Sequence, residues 1–253
     1  MDTEKKTKKN TEQLPHEILY PHVSVDCVLL SVIDDKLAVL LAEMDGESNG
    51  KGYKLPGGLI YETEDLDQAA ARILTESTGL KRIHLKQFRS FGDPNRTKNK
   101  DDVHWLENAS KLKVGRIVTV AYLALCKVRK KANTNERYNN VQWIAIDKLP
   151  QLLFDHNEII KAAAQGMREW VDVEPKIVFD YMPTKFTALE LRKTYEAIYD
   201  KKLDVRNFHK RMNALEYIAP TDQMQEGMPH RSARYYKFDK VKYNKMYSKL
   251  SNN

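Results

Sequence analysis

Residues 55–80 read LPGGLIYETEDLDQAAARILTESTGL, and the reading of this stretch decides the fold. Its second half carries Leu66, Ala69, Ala70, Ile73 and Leu74 at helical spacing on one face, which predicts a helix that buries that stripe. Gly79 falls just past the helix, where a left-handed residue is wanted and glycine adopts that conformation without steric cost. The other marked positions also keep fixed distances: Gly58, Glu64 six residues on, Arg72 eight beyond it, then Gly79 and the apolar Leu80.

Upstream, His22 to Ile33 reads HVSVDCVLLSVI, alternating at first and then continuously apolar, as a strand does when it enters a buried sheet. After the turn Asp34-Asp35, Leu37 to Ala42 is its expected hairpin partner, and a glycine-bearing loop over 47–52 leads back to the opening stretch. Downstream, short strands are expected at about 85–91, 116–127 and 141–146, and a helix at 156–170 with Ile159, Ile160, Ala163 and Met167 inward. Residues 93–114 are long, polar and poor in periodicity, which reads as a functional or mobile loop. Residues 1–18 are polar and lysine-rich, expected to be a disordered tail. They contain no apolar core of a secretory signal, and no run reaches the ~18 apolar residues of a membrane span. The expected location is cytoplasmic, with no membrane partner. Cys27 and Cys126 lie in apolar runs and read as buried, reduced thiols.

The spacing across residues 58–80 resembles the Nudix box. The resemblance implies a mixed sheet between helices over about residues 19–170 and pairs Glu64 with Arg72 to tie the loop to the helix. It also places the magnesium carboxylates of Nudix hydrolases at positions that here hold Ile73, Glu76 and Ser77. Positions i, i+3 and i+4 share one helix face, so a full set would converge on a metal at the substrate pyrophosphate. With one carboxylate of three, the expectation is a binding domain with no catalytic residue, no metal and no cofactor.

The net charge of +7 is unevenly placed. Residues 1–180 carry 27 Lys/Arg and 27 Asp/Glu, whereas residues 181–253 carry 15 Lys/Arg and 8 Asp/Glu, so the excess belongs to the second segment. A neutral body with a basic terminal module points to a polyanionic partner. Residues 171–185, with Pro175 and Pro183, read as a linker, and 186–253 as a small domain. Thr187 and Glu190 have capping-box spacing, and Ala188, Leu191, Tyr195 and Ile198 form a buried stripe. A second helix follows Asp204 with Phe208, Met212 and Leu215 inward. Its other side gathers Arg206, Asn207, His209, Lys210, Arg211 and Asn213, cations and amides of the kind that bond guanine and adenine in the major groove. Residues 217–219 and 233–238 are expected to pair as a hairpin, with His230, Arg231 and Arg234 placed to meet phosphate.

The two halves together resemble the Nudix-related transcriptional regulators. The likeness is carried by the opening stretch, FGDPNR at 91–96, VAYLAL at 120–125, FDHNEII at 154–160 and FDYMPTKFTALELRKTYEAIYDKKLDVRNFHKRM at 179–212. It implies an α+β fold: a Nudix-like mixed-sheet α/β/α sandwich followed by a small winged helix-turn-helix domain. The implied function is a repressor that binds double-stranded DNA at a palindromic operator as a homodimer and is controlled by a small-molecule effector. Because two metal carboxylates are missing, a phosphate-free pentose such as L-arabinose is the expected effector, with Lys54, Glu76, Asp93 and Arg96 as candidate contacts. The alternatives are ADP-ribose or another NAD metabolite, a pyrophosphohydrolase with a DNA-binding appendage in which Glu76 holds magnesium, or a sensor acting through a protein partner.

Overall fold

A computed structural model describes residues 18–46, 50–127, 140–226 and 232–250. The first domain is organised around one long strand, β1 (Leu19–Ile33). β1 pairs antiparallel with β4 (Gly57–Tyr61) along its first half and with β2 (Lys36–Gly46) at its end, and parallel with β6 (Val118–Leu125). β5 (Lys86–Phe91) extends the sheet beyond β6, while β3 (Gly50–Lys54) and β7 (Asn140–Ala145) both pair with β2. Asp34 and Asp35 at the β1–β2 turn have φ of 49° and 62°, the left-handed pair that a tight two-residue hairpin requires.

The sheet is covered on both faces, which is why β1 becomes continuously apolar. Val25, Cys27 and Leu29 face Ala69, Ala70, Ile73 and Leu74 of α1 (Leu66–Thr78), while Val28 and Leu30 face Ile159, Ile160 and Ala163 of α3 (His156–Val173). α1 opens with a capping box between Asp65 and Gln68 and closes on Gly79 at φ 69°.

Three sequence expectations are corrected. The segment around LPGG is strand on both sides. β4 is glycine-led because a Cβ at Gly57 would lie 1.9 Å from Asp26 Oδ1 on β1, so only glycine allows this approach. The segment 93–114, read as a loop, contains α2 (Lys100–Ser110), capped by Asn99. The segment 171–185, read as a linker, holds the end of α3 and the short α4 (Lys176–Tyr181), and Val178, Phe179 and Met182 are buried.

The second domain is a winged helix: β8 (Phe186–Thr187), α5 (Ala188–Tyr199), α6 (Val205–Asn213), β9 (Ile218–Met224), β10 (Arg234–Phe238) and α7 (Lys240–Leu250), with sheet order β8-β10-β9. Thr187 and Glu190 form the capping box of α5. Phe179 stacks on Phe238 at 4.6 Å and 3° and meets Tyr217 edge-on. One apolar cluster runs from Leu30, Ile160 and Met167 of the sandwich through Phe179 to Phe186, Leu191 and Tyr217 of the winged helix. Arg168 Nε donates to Ile198 O at 3.0 Å, and Lys193 of α5 pairs with Asp35 of the β1–β2 turn. Among the described residues no helix is long and apolar enough to cross a membrane.

A shared core predicts shared unfolding. Phe179→Ala should cost about 3–5 kcal/mol, the usual range for emptying a buried phenylalanine site. All three tryptophans, Trp105, Trp143 and Trp170, belong to the first domain. In urea, their fluorescence transition should therefore shift together with far-UV circular dichroism in this variant. Fluorescence that stays at the parent midpoint would show that the domains unfold separately.

Candidate functional sites: a buried charged chamber and an exposed cationic helix

Arg72, on α1, is the hub of the loop–helix junction. Its Nε donates to Glu64 Oε2 at 2.8 Å, its Nη2 to Glu64 Oε1 and to Leu59 O at 3.1 Å, and its Nη1 to Glu76 Oε2 at 3.1 Å. The guanidinium lies 4.2 Å from the Tyr61 ring centre, and Glu64 also accepts from Tyr61 N at 2.8 Å. Burial opposes the charge on Arg72, but the bond to Glu64 and the charges of Glu64 and Glu76 outweigh it and hold its pKa above the ordinary value. Glu76 is therefore committed to a cation, while Ile73 and Ser77 are only 3 % and 1 % exposed.

On the other side of β4 five separate segments bring polar groups into one chamber. Asp26, in the middle of β1, accepts from Thr119 Oγ1 at 2.7 Å and lies 3.8 Å from Arg96 Nη2 and 3.6 Å from His156 Nε2. Arg96 also holds Asp155 with both arms, at 3.0 and 2.8 Å. Lys54 Nζ donates to Leu55 O and Gly57 O, each at 2.8 Å, and lies 5.7 Å from the Trp105 ring centre. His156 Nδ1 accepts from Leu55 N at 3.0 Å, which places the neutral ring's proton on Nε2, toward Asp26. Burial pushes the His156 pKa down to about 4; Asp26 opposes this, and Lys54 and Arg96 reinforce it.

α2 roofs this region and divides it. The chamber bounded by Asp26, Lys54, Arg96, Trp105 and His156 measures about 40 Å³. A neighbouring cavity of about 210 Å³, bounded by Tyr61, Arg72, Ile73, Glu76 and Ser77, shares the Trp105–Leu106 wall with it. A larger cleft of about 790 Å³ opens between β5 and α3, with Arg89, Phe91, Asp93, Arg96, Phe154 and Lys161 among its walls. The four effector candidates are thus dispersed. Lys54 and Arg96 share the chamber, Glu76 faces the second cavity, and Asp93 lines the cleft, where its carboxylate accepts from Asn95 N at 2.7 Å. Arg96 alone among them borders two of the spaces. Sequence reasoning missed Asp26, Trp105 and His156; the available signal was a carboxylate set inside the apolar run VSVDCVLL.

The second site is a surface. Arg206, Asn207, His209, Lys210, Arg211 and Asn213 are all exposed on α6, and Met212 is buried beneath them. Asp204 caps the helix by accepting from Asn207 N at 2.8 Å, so Arg206 and Asn207 sit in its first turn. Phe208 packs against Tyr195 at 6.2 Å, holding α6 on α5. Arg234 is exposed on β10, whereas His230 and Arg231 lie outside the described residues.

The geometry defines a mixed-sheet sandwich with a chamber under a helical roof, carrying a winged helix with a cationic, solvent-facing second helix. Residues 20–165 match the NUDIX domain and residues 178–238 the NrtR DNA-binding winged helix domain. The chain belongs to the Nudix family, with a DNA-binding winged helix domain following its Nudix domain. It is 26 % identical over 222 residues to the ADPR responsive transcriptional repressor NtrR of Acinetobacter baylyi, covering 86 % of this chain and 82 % of that one. A MutT/nudix family protein from Enterococcus faecalis superposes with a TM-score of 0.62 at 25 % identity, over 90 % of this chain and 89 % of that one. NrtR of Shewanella oneidensis, crystallised with a 27mer DNA, shares the fold with a TM-score of 0.64 at 24 % identity, over 88 % and 95 % of the two chains.

The chamber has a pH signature. His156 binds a proton only below about 4 in the folded state, whereas an unfolded histidine binds one below ~6.5. Between these values the unfolded chain holds the extra proton, so stability falls as pH drops from 7 to 4, by a total on the order of 3 kcal/mol. His156→Asn, whose Oδ1 can accept the Leu55 amide, should flatten this slope in urea unfolding at stepped pH. A slope unchanged from the parent would remove His156 as its source.

Proposed function

We propose that the protein is a transcriptional repressor that binds a two-half-site operator as a homodimer, through α6 and the wing, and is released when an effector of the ADP-ribose class occupies its Nudix domain. The observation that carries this is the likeness to the A. baylyi ADPR responsive repressor, which runs through both domains rather than one. The pentose expectation rested on the missing carboxylates. A pyrophosphate needs counter-charge, and cations can supply it where a metal does not. The 790 Å³ cleft, a volume in the range of small-molecule and cofactor sites, has Arg89 and Lys161 among its walls, with Arg96 already paired to Asp155 and the carboxylates of Asp93, Asp102 and Glu158 beside them. The chamber, at about 40 Å³, has room for little more than a water and is too small for a sugar.

We further infer binding without hydrolysis. A Nudix hydrolase holds magnesium on carboxylates along α1, and the donors present here do not fit that ion. Ile73 offers no oxygen, Ser77 is buried, and Glu76 is bonded to the Arg72 guanidinium, a fixed positive charge beside the place a cation would take. No step of a reaction is assigned to a metal.

Duplexes selected from a random library at near-physiological salt should yield a palindrome. In Arg206→Ala, discrimination at one base pair of each half-site should fall by about 1–3 kcal/mol, roughly 5- to 150-fold, with the protein still folded. A variant that binds operator and random DNA as the parent does would refute the recognition-helix assignment. ADP-ribose should lower operator affinity and L-arabinose should not; the reverse result would exchange the two effector readings. ADP-ribose incubated with the protein and magnesium should remain intact, and turnover abolished by Glu76→Gln would restore the enzyme reading.

A further inference from the structure

The segment between the domains closes onto the far end of β1. Pairing of β1 with β6 ends at Leu30↔Leu125, so the strand edge beyond it needs other partners for its amide and carbonyl. Tyr181, at the end of α4, supplies both: its hydroxyl accepts from Val32 N at 3.2 Å and donates to Val32 O at 3.1 Å. Asp35, in the turn that follows, pairs with Lys193 of α5. Lys127, just past β6, donates to Met182 O at 3.1 Å. At the other end of the same run Asp26 stands in the chamber, held by Thr119 and facing Arg96 and His156. Asp26 and Val32 are ~20 Å apart along an extended strand. From Asp26 to Leu30 every residue is in register with β6, so this part of the strand has no hinge.

We infer that Tyr181 and Lys193 are positioning residues, through which the β1–β2 hairpin carries the state of the Nudix domain to the DNA-binding helix. The inference rests on the ligand-controlled reading above and names how that control is transmitted. Arg96 is the link at the input end, since it borders both the chamber and the large cleft and faces Asp26 on β1. At the output end, α5 carries α6 through the Tyr195–Phe208 contact and through Glu196, whose Oε1 accepts from Leu203 N at 2.9 Å in the turn between the helices. A displacement of β1 at Asp26, which Arg96 faces, therefore reaches α6 through strand, turn and helix.

The test uses the full chain, the selected operator duplex and ADP-ribose as the probe, in the parent, Tyr181→Phe and Lys193→Ala. Operator Kd is measured with and without ADP-ribose, and ADP-ribose Kd with and without operator; linkage requires the two ratios to agree. The parent ratio should be about tenfold or more and should fall to within about twofold of unity in Tyr181→Phe, with each ligand's affinity for the otherwise free protein retained. A merely structural role would lower the melting temperature and leave the ratio intact, and a parental ratio in both variants overturns the inference. Should Tyr181→Phe fail to fold, Lys193→Ala, which alters a half-exposed pair, decides by the same ratio. If the parent itself shows a ratio of one, the effector reading fails and amide hydrogen exchange judges the hairpin: operator binding should slow exchange at Val32 about tenfold or more. Unchanged exchange there overturns the inference.

Discussion

The carboxylate of Asp26, buried in the middle of β1, is the constraint on which the rest of the site depends. A charge taken out of water is tolerated only with partners, and removing one partner of such a group costs more than the pair is worth. Thr119 must therefore stand opposite on β6, Arg96 must come in from the segment after β5, and His156 must open α3 beside it. Gly57 must be a glycine for β4 to lie against the same oxygen. Lys54 then turns back to the carbonyls of Leu55 and Gly57, which fixes the path of the chain into the Nudix loop. Strand, loop and helix start thus converge on one carboxylate, between the apolar clusters above and below the sheet.

Local signals were legible in the sequence wherever one segment carries its own instruction. The stripe of α1, the left-handed Gly79, the Thr187–Glu190 cap and the buried Met212 opposite the exposed cations of α6 each depend on neighbours within a turn or two. The winged helix followed from such spacings, and the Glu64–Arg72 pair from the resemblance to the Nudix box. What escaped was structure whose reason lies elsewhere in the chain. β3 and β4 are five residues each and rich in glycine, so they read as loop until the sheet that recruits them is known. α2 has only a weak apolar face: Val103, Trp105 and Leu106 are half-buried, and its buried residue is Asp102, whose carboxylate accepts from Phe154 N at 2.6 Å. The chamber is the extreme case, since its groups sit at positions 26, 54, 96, 119 and 156 with no spacing in common.

The misread linker shows the same limit from the other side. Pro175 and Pro183 are breakers, and between them only six residues form α4, too few to display a helical period. Proline is at home beside the first turn of a helix, and Pro175 stands there. Val178 and Phe179 then bury themselves against the core that both domains share, and Tyr181 satisfies the backbone of Val32 where β6 stops. Composition flagged the two prolines of the junction but not the helix between them. It did not distinguish an irregular segment that is solvated from one that is packed, because that depends on the free edge of a strand some 150 residues earlier in sequence.

A packed junction matters for any regulator that works by release from DNA. To move operator occupancy from 99:1 to 1:99 an effector must prefer one state by about 5.5 kcal/mol, and it can deliver only the difference in its affinity for the two states. A flexible tether would leave the winged helix indifferent to the Nudix domain, so the two states would not differ at the ligand and nothing would be delivered. Here the DNA-binding domain is fastened to the sandwich at Val32, Asp35, Asp172 and Arg168, through α4 and α5. α6 is in turn fastened to α5 through Phe208. Its exposed cations are thereby held at a set angle to the first domain, and in a dimer that angle determines whether two helices can meet half-sites spaced by a turn of DNA, ~34–36 Å, or a multiple of it. Nonspecific attraction survives a change of angle, because it follows from the excess charge of residues 181–253, whereas simultaneous fit to two half-sites does not. In such a dimer a small rotation at the junction would be enough to separate the specific from the nonspecific state.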